Sequence, residues 1–361
     1  HAIERALTLD EDLGEAYASL GFVNRDTNEY EKAEIAFKKA IQLSPNYASA
    51  YQWYGNHVAN FPLRIDERTQ LAQKATELDP RSTVLGVNLG DAYRDRGLYS
   101  MAERQYRKII DLNPDSSMPY RALANLYSFN MSRYEQALSH AQKAYELDPG
   151  VVWSLTTLLQ VHLELDDLEA AERIRERIVD LNASHLAVGY SDIDINLYKK
   201  NSAGTFETIN WLLPRVSSMP GASMYLATVA LSLGDIDRAR EIYLAAAPGW
   251  LDPEQWENLL GLYQTNGCIV SLILLNTGDA ELGRQLLERS TVYLTESLPA
   301  VNEHADIYGP QVCYLTAGEK EKALHAMETV LDHNHLSYWE PYLQLPMFDL
   351  VRHEPRYQAL L

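Results

Sequence analysis

The chain has 361 residues, more than the roughly 250–300 that one compact core usually holds, so we expect two domains or one elongated array. Its 31 Lys and Arg against 50 Asp and Glu give a formal net charge of −19. This charge disfavours nucleic acid and anionic lipid as direct partners, because both are bound by clustered cations. The excess of carboxylates fits either a surface kept soluble by charge or a basic partner.

The two cysteines, Cys268 and Cys313, are too few for a disulfide framework or a Cys-based zinc motif. Each is expected on the first helix of a hairpin as a small buried residue. The longest apolar run, residues 268–275, is far shorter than the roughly 18 residues of a membrane span, and no signal peptide is visible. The opening stretch HAIERALTLDED is typical of the second helix of a hairpin, so we expect a longer parent protein.

Prolines recur at a nearly constant spacing in the first half of the chain. Pro45, Pro80, Pro114 and Pro149 are separated by 35, 34 and 35 residues. Each follows an amphipathic helical pattern, which a proline prevents from continuing. A period of this length predicts stacked helical units that bury a continuous core only as an array.

Small and aromatic residues also recur in phase between these prolines. In the first unit, Tyr17, Leu20 and Gly21 share one face of a first helix, and Ala33 and Phe37 share one face of a second. Gly or Ala lets two helices approach closely, and the aromatic ring fills the space opposite. The corresponding residues of later units are Leu89, Gly90, Tyr93, Tyr106 and Ile109, and then Leu123, Ala124, Tyr127, Ala137 and Ala141.

This arrangement resembles the tetratricopeptide repeat, in which an aromatic, Leu-Gly, Tyr, and then Ala, an aromatic, Ala and a closing Pro mark each two-helix unit. The resemblance covers residues 12–182 and implies an all-α fold, a right-handed α-solenoid of antiparallel helical hairpins. We therefore predict a regular array over residues 1–182, with a truncated first helix and about five hairpins. The second unit departs from the repeat at NFPLRID, where Pro62 predicts a distorted or displaced helix.

Residues 183–335 keep part of the repeat and are predicted to form degenerate hairpins. A glycine followed by an acidic residue returns in three turns. Glycine tolerates the left-handed geometry at a helix end, and the acidic residue favours the start of the next helix by its charge or, for Asp, as an N-cap. The turns are Gly234–Asp235, Gly278–Asp279 and Gly318–Glu319.

Residues 336–361 are predicted to cap the apolar face of the last hairpin. The capping candidates are Phe348, Leu350, Val351, Tyr357, Leu360 and Leu361. The ending FDLVRHEPRYQALL and the stretch AIQLSPNYASAYQWYGNHVA are similar to the C-terminal region of bacterial multidomain regulators. There a tetratricopeptide array follows a CadC-type winged-helix activator, a nucleotide cyclase or a kinase, often behind a transmembrane helix. The resemblance implies a role in signal transduction or transcriptional regulation and a periplasmic location, with the cytoplasm as the alternative.

No motif for catalysis or cofactor binding is found, whether a glycine-rich phosphate loop, a Gly-x-Ser-x-Gly elbow or a His-Glu-x-x-His helix. Asp332, His333 and His335 are close enough in sequence to bind a metal, but a polar helix end is the preferred interpretation. The repeat histidines, expected to be satisfied or exposed, are His57, His140 and His162. We predict no catalytic, cofactor or metal site in this chain, whereas the parent protein's status depends on its other domains.

In tetratricopeptide arrays the first helix of each hairpin lines the concave face, where a partner would bind. Amide side chains suit an extended peptide because each offers a donor and an acceptor, and Arg94 and Arg121 could form forked contacts with a carboxylate. The competing interpretation is a solvated inner face. The candidate groove residues are Gln52, Asn56, Asn88, Asp91, Arg94, Arg121, Asn125 and Gln160.

The family's best-known peptide site clamps an acidic C-terminus with two Asn and three cationic residues. Asn56 and Asn88 match the two Asn, but Gln52, Met118 and Ala122 occupy the cationic positions. A clamp for an acidic chaperone tail is therefore not expected.

The preferred hypothesis is a non-catalytic interaction module that binds a protein or peptide partner, or a second copy of itself, and regulates an N-terminal effector outside this sequence. The alternatives are a static scaffold in an envelope or secretion assembly and the regulatory tail of a parent nucleotide cyclase or kinase. Nucleic-acid contact and membrane insertion through this region are not expected.

Overall fold

The computed structural model describes residues 2–27, 29–61, 64–263, 266–297, 310–331 and 345–359. Within these ranges the chain is all-α and contains no β-strand. Helices joined by short turns pack in pairs, so the predicted solenoid of antiparallel hairpins is confirmed. The chain divides into two compact units, His1–Ala122 (unit 1) and Leu123–Leu361 (unit 2). The repeat pattern predicts divisions after residues 182 and 335, based on how regular the repeat is. The two compact units do not test these divisions, which stay predictions.

Unit 1 opens on a helix, as the first residues predicted, and continues with hairpins. Its helices are α1 (Ala2–Leu9), α2 (Gly14–Asp26), α3 (Tyr30–Leu43), α4 (Ala48–Val58), α5 (Ile65–Leu78), α6 (Thr83–Asp95), α7 (Tyr99–Leu112) and α8 (Ser117–Asn125), which runs on into unit 2.

Unit 2 contains the remaining hairpins. Its helices are α9 (Tyr134–Leu147), α10 (Val152–Glu164), α11 (Leu168–Asn182), α12 (Leu186–Tyr198), α13 (Ser202–Val216), α14 (Pro220–Ser232), α15 (Ile236–Ala246), α16 (Trp256–Tyr263), α17 (Asn266–Asn276), α18 (Ala280–Val292), α19 (Pro310–Thr316), α20 (Lys320–Leu331) and α21 (Pro355–Gln358). The shorter elements are π-helical turns at Leu126–Asn130 and Tyr293–Ser297 and 3-10 turns at Pro248–Leu251, Pro253–Gln255 and Pro346–Leu350.

The glycine–acid turns of unit 2 have the predicted left-handed backbone. The φ angles are +87° at Gly234, +98° at Gly278 and +77° at Gly318. The carboxylate of Asp235 caps α15 by accepting from the backbone N–H of Arg238 at 2.9 Å. The same prediction for Asp279 is wrong, since its carboxylate makes no cap hydrogen bond and instead accepts from Arg240 at 2.6 Å.

The two helices of a hairpin meet where a glycine faces an aromatic ring. A Cβ atom built on Gly90 of α6 would lie less than 3.0 Å from three ring atoms of Tyr106 of α7, and Gly21 faces Phe37 in the same way. Gly55, at the equivalent position of the second hairpin, has the Leu71 Cβ at 3.6 Å as its nearest neighbour. The predicted size matching therefore holds in the first and third hairpins and is looser in the second.

Gly90→Ala should lower the free energy of unfolding by about 1–3 kcal/mol, because the added methyl group overlaps the buried Tyr106 ring. Gly55→Ala is the matched control at the same repeat position. It should be neutral or stabilising, since Ala exceeds Gly in helix propensity by about 1 kcal/mol. Urea denaturation of both variants measures the difference, and a Gly90→Ala protein as stable as Gly55→Ala would contradict this packing account.

A network of ion pairs and hydrogen bonds lies beside the second hairpin. The guanidinium of Arg64 donates to Glu34 of α3 at 2.6 Å, to Glu67 of α5 at 2.7 Å and to the hydroxyl of Tyr54 of α4 at 2.9 Å. Burial opposes the ionisation of Glu34, but hydrogen bonds from Arg64 and Lys38 outweigh burial and lower the pKa of this carboxyl to about 2. The network thus ties together three helices where the sequence departs from the repeat. Pro62 itself lies outside the described residues.

Arg64→Met should lower the free energy of unfolding by about 1–3 kcal/mol at neutral pH, because it leaves Glu34 and Glu67 without their shared cation. The pKa of Glu34 is about 4.5 in the unfolded chain and about 2 in the folded protein. Its ionised form therefore stabilises the fold above about pH 4.5, and this stabilisation disappears as the pH falls towards 2. The variant should therefore lose part of the wild-type pH dependence in that window. Lys74→Met, which breaks the exposed pair with Glu77, is the control and should change stability by less than about 0.5 kcal/mol. Equal losses in both variants would contradict the network's role.

The tail packs on the apolar core of unit 2. Phe348, Val351 and Tyr357 are buried in the same cluster as Leu324 of α20. Leu350 is 41% exposed, so its predicted capping role is wrong. This difference arises because the 3-10 turn at Pro346–Leu350 directs neighbouring side chains to different sides. The other two capping candidates, Leu360 and Leu361, lie outside the described residues.

Cys268 of α17 and Cys313 of α19 form a disulfide, with their Cα atoms 5.0 Å apart. Both residues are fully buried, as predicted. The bond between them was not predicted from the sequence and forms because the packing of α17 against α19 brings them together.

Candidate functional site

The predicted groove residues occupy repeated positions on the first helices. Asn56, Asp91, Asn125 and Gln160 each directly follow the small or apolar residue at the helix contact, whereas Asn88 precedes that residue by two positions. All eight candidates are half-buried, so none is a fully solvated side chain. Six of them, from Gln52 to Arg121, belong to unit 1, and Asn125 and Gln160 belong to unit 2.

First helices of consecutive hairpins contact each other through these positions. In unit 1, the rings of Phe22 of α2 and Trp53 of α4 lie 5.5 Å apart between centroids. In unit 2, the hydroxyl of Thr157 of α10 donates to the Asn125 side chain of α8 at 3.0 Å. Phe22 and Asn125 each directly follow the contact residue of their own helix. Trp53 and Thr157 each lie two positions before the contact residue of the next first helix.

Asn56 of α4 and Asn88 of α6 hold the equivalent pair of positions. The Nδ2 atom of Asn88 is sealed from solvent and has no hydrogen-bond partner among the described residues. A buried amide donor without a partner costs about 1–3 kcal/mol, and a rotation of the Asn88 side chain towards the inner face would let a peptide carbonyl accept its proton. At this pair of positions the described residues show no closed contact like those of Phe22 with Trp53 and Thr157 with Asn125.

The charged candidates of α6 are already paired within the chain. Arg94 donates to Asp91 at 2.9 Å and to Asp95 at 3.0 Å, and the Tyr106 hydroxyl donates to Asp91 at 2.7 Å. The carboxylate fork proposed for Arg94 is thus occupied by this chain's own acids. Arg121 of α8 has no acidic partner in the described part of the chain, so its guanidinium stays available.

Asp194 of α12 was missed by the sequence reasoning. It follows Gln160 by 34 residues, and its carboxylate accepts from the Gln160 side chain at 3.2 Å. Burial, reinforced by the charge of Glu164, raises the pKa of Asp194 to about 7. The repeat period alone would have marked this position.

Asp194→Asn should raise stability at about pH 8 and leave it nearly unchanged at about pH 4. An acid whose folded pKa is raised destabilises the fold as the pH rises from its ordinary pKa of 3.8 through 7, because the native state must ionise a buried group. The gain should be about 1–2 kcal/mol and would be read from urea denaturation at both pH values. The exposed Asp180→Asn is the control with no expected pH-dependent change, and a variant that tracks wild type at both pH values would show that Asp194 ionises freely.

His57 of α4 departs from the expectation of a satisfied or exposed side chain. It is fully buried, and its two ring nitrogens have no hydrogen-bond partner among the described residues. Its ring packs beside Phe37, Tyr54 and Phe61. Burial lowers the pKa of His57 and favours the neutral ring, so this histidine acts as an aromatic core residue.

No group of three or more His, Cys, Asp or Glu side chains in the described ranges is placed to hold a metal ion. Asp332, His333 and His335 lie outside those ranges. None of the described helices is both long enough and apolar enough to cross a lipid bilayer.

The repeat units match a known family in two places. Residues 14–47 and 87–116 each match a tetratricopeptide repeat model, and these stretches cover the α2–α3 and α6–α7 hairpins. The chain therefore contains tetratricopeptide repeats. Such repeats generally mediate protein–protein interactions and are typically non-catalytic.

Individual proteins resemble the chain over part of its length. The Superkiller complex protein 3 of Mus musculus is 23% identical over 212 residues, which cover 49% of this chain and 14% of that protein. The Anaphase-promoting complex subunit 3 of Schizosaccharomyces pombe is 31% identical over 117 residues, or 32% of this chain and 17% of that protein. The chain thus matches less than a fifth of the length of each. A tetratricopeptide repeat protein from Parabacteroides merdae has a crystal structure with 14% identity and a TM-score of 0.43, covering 80% of this chain and 98% of that one.

Proposed function

We propose that the chain is a protein-interaction module whose unit 1 binds an extended peptide segment of a partner protein through Asn56 and Asn88. The observation that carries the proposal is the pair of half-buried amide side chains at equivalent first-helix positions, of which the Asn88 Nδ2 atom has no hydrogen-bond partner among the described residues and can turn towards a bound peptide. A backbone carbonyl of a bound peptide is the acceptor that such an amide lacks, and the amide oxygens of the pair can accept from peptide N–H groups.

The chemistry around the two amides favours a backbone-directed site over an acidic-tail clamp. Asp91 and Asp95 are paired with Arg94 and Arg68, so this part of α6 presents little net charge to a partner. Gln52 of α4 adds a further donor and acceptor, and Arg121 of α8 adds a cation. The site would accordingly bind an extended segment through hydrogen bonds to its peptide groups. One acidic side chain or the C-terminus of the segment would contact Arg121.

Binding of this segment is proposed to regulate an N-terminal effector of the parent protein. The support is the similarity of the chain's ending to regulators that place such an array after a winged-helix activator, a nucleotide cyclase or a kinase. In this scheme the peptide, or a second copy of the chain, changes the effector's output without any catalysis by the array.

Asn56→Ala/Asn88→Ala should weaken peptide binding by at least about tenfold, because each substitution removes a contact worth about 1 kcal/mol. A phage-displayed library of random peptides would be selected on the wild-type chain. The selected peptides would then be titrated by fluorescence anisotropy against wild type and the double variant. Thermal stability should not fall and is expected to rise slightly, since the Asn88 substitution removes a buried amide donor that has no hydrogen-bond partner among the described residues.

Asn46→Ala, on the exposed turn before α4, is the matched control and should bind as wild type does. Selected peptides that bind the double variant with wild-type affinity would refute the site, whereas binding lost together with the fold would show in the melting curve. The regulatory part is tested separately in the full-length parent, where effector output should lose its response to the peptide in the double variant.

A further inference from the structure

The disulfide of unit 2 joins two consecutive first helices. The Cα–Cα distance of 5.0 Å between Cys268 of α17 and Cys313 of α19 lies within the range that a disulfide bridges without backbone movement. These are the only cysteines of the sequence, so the bond leaves no thiol on the chain. The site was not indicated by any cysteine motif in the sequence.

The surroundings of the disulfide protect it from reduction. Both cysteines are fully buried in an apolar cluster that includes Ile269, Val312 and Leu315. Reduction requires a thiolate to reach one sulfur atom, and this core excludes both water and charged reagents. The pair is therefore protected in the folded protein and is poorly placed to serve as a redox switch.

The disulfide closes a long loop between the two helices. The cysteines are 45 residues apart in sequence, and the loop that they close contains α18. The α19–α20 hairpin and the buried tail residues follow Cys313. A cross-link at this point restricts the unfolded chain and fixes the α19–α20 hairpin on α17.

We infer that the chain matures in an oxidising compartment, where this disulfide forms and fastens the C-terminal hairpin to the rest of unit 2. The two thiols give up two protons and two electrons to an external disulfide, such as that of a thiol oxidoreductase, which leaves as a dithiol. The new S–S bond replaces two S–H bonds. A compartment with reduced thiols would oppose this exchange, since structural disulfides persist mainly in oxidising surroundings.

The test counts thiols in the whole chain. The protein is produced in a bacterial host with an export leader, denatured without reductant, alkylated and weighed by mass spectrometry. Alkylation should add no group before reduction and two groups after it. Folded exported protein that takes two groups before reduction would overturn the inference.

Stability measurements separate the bond from the packing of the two side chains. Reduced wild type and the oxidised form differ only in the bond, and oxidised wild type should melt at least about 5 °C higher. Cys268→Ala/Cys313→Ala should melt close to the reduced wild type and show no response to reductant. An oxidised protein that melts with the reduced one would refute the fastening role.

The same chain produced without the leader tests the dependence on compartment. After denaturation it should take two alkyl groups without reduction, and in the folded state it should be cleaved faster by protease within the α19–α20 hairpin than the exported form. Equal protease resistance of the two forms would count against the inference. The bond involves none of the groove residues, so loss of peptide binding and loss of the disulfide are separate results.

Discussion

The close approach of two helices at a small residue is the constraint on which the rest of the molecule depends. Where Gly90 lies under the ring of Tyr106, no side chain can be inserted without moving one helix, so the rotation of α6 against α7 is fixed. After Gly21 the next residue, Phe22, faces Trp53 of the neighbouring hairpin, whereas after Gly90 the next residue, Asp91, accepts from Tyr106 of its own hairpin.

The stacking of consecutive first helices underlies both a candidate site and a covalent bond. It places Phe22 against Trp53 and Asn125 against Thr157, and by equivalence it assigns Asn56 and Asn88 to the same contact. In unit 2 it sets Cys268 and Cys313 on neighbouring first helices, close enough to be joined. One pair of repeat positions thus carries an aromatic contact, a hydrogen bond or an amide pair, whereas the disulfide joins a different pair of positions on neighbouring first helices.

Charged side chains of unit 1 form local ion pairs, although the chain carries a formal net charge of −19. Arg64 and Lys38 pair with Glu34 and Glu67, and Arg94 and Arg68 pair with Asp91 and Asp95. Asp194 has an amide as its hydrogen-bond partner, and its raised pKa reflects the cost of burying an acid in that way. Within unit 1 these ion pairs leave the amides and Arg121 as the groups available to a partner.

The sequence by itself determined the repeat, its all-α class, the glycine–aromatic packing and the left-handed turns at Gly234, Gly278 and Gly318, because these depend on local helix chemistry at a fixed period. Tertiary structure alone decided the hydrogen bond from Arg64 to Glu34, the burial of His57 without a hydrogen-bond partner among the described residues and the exposure of Leu350. It also decided the disulfide, since a contact between residues 45 positions apart depends on how hairpins stack. Such outcomes follow from distances between helices, which a one-dimensional period does not contain.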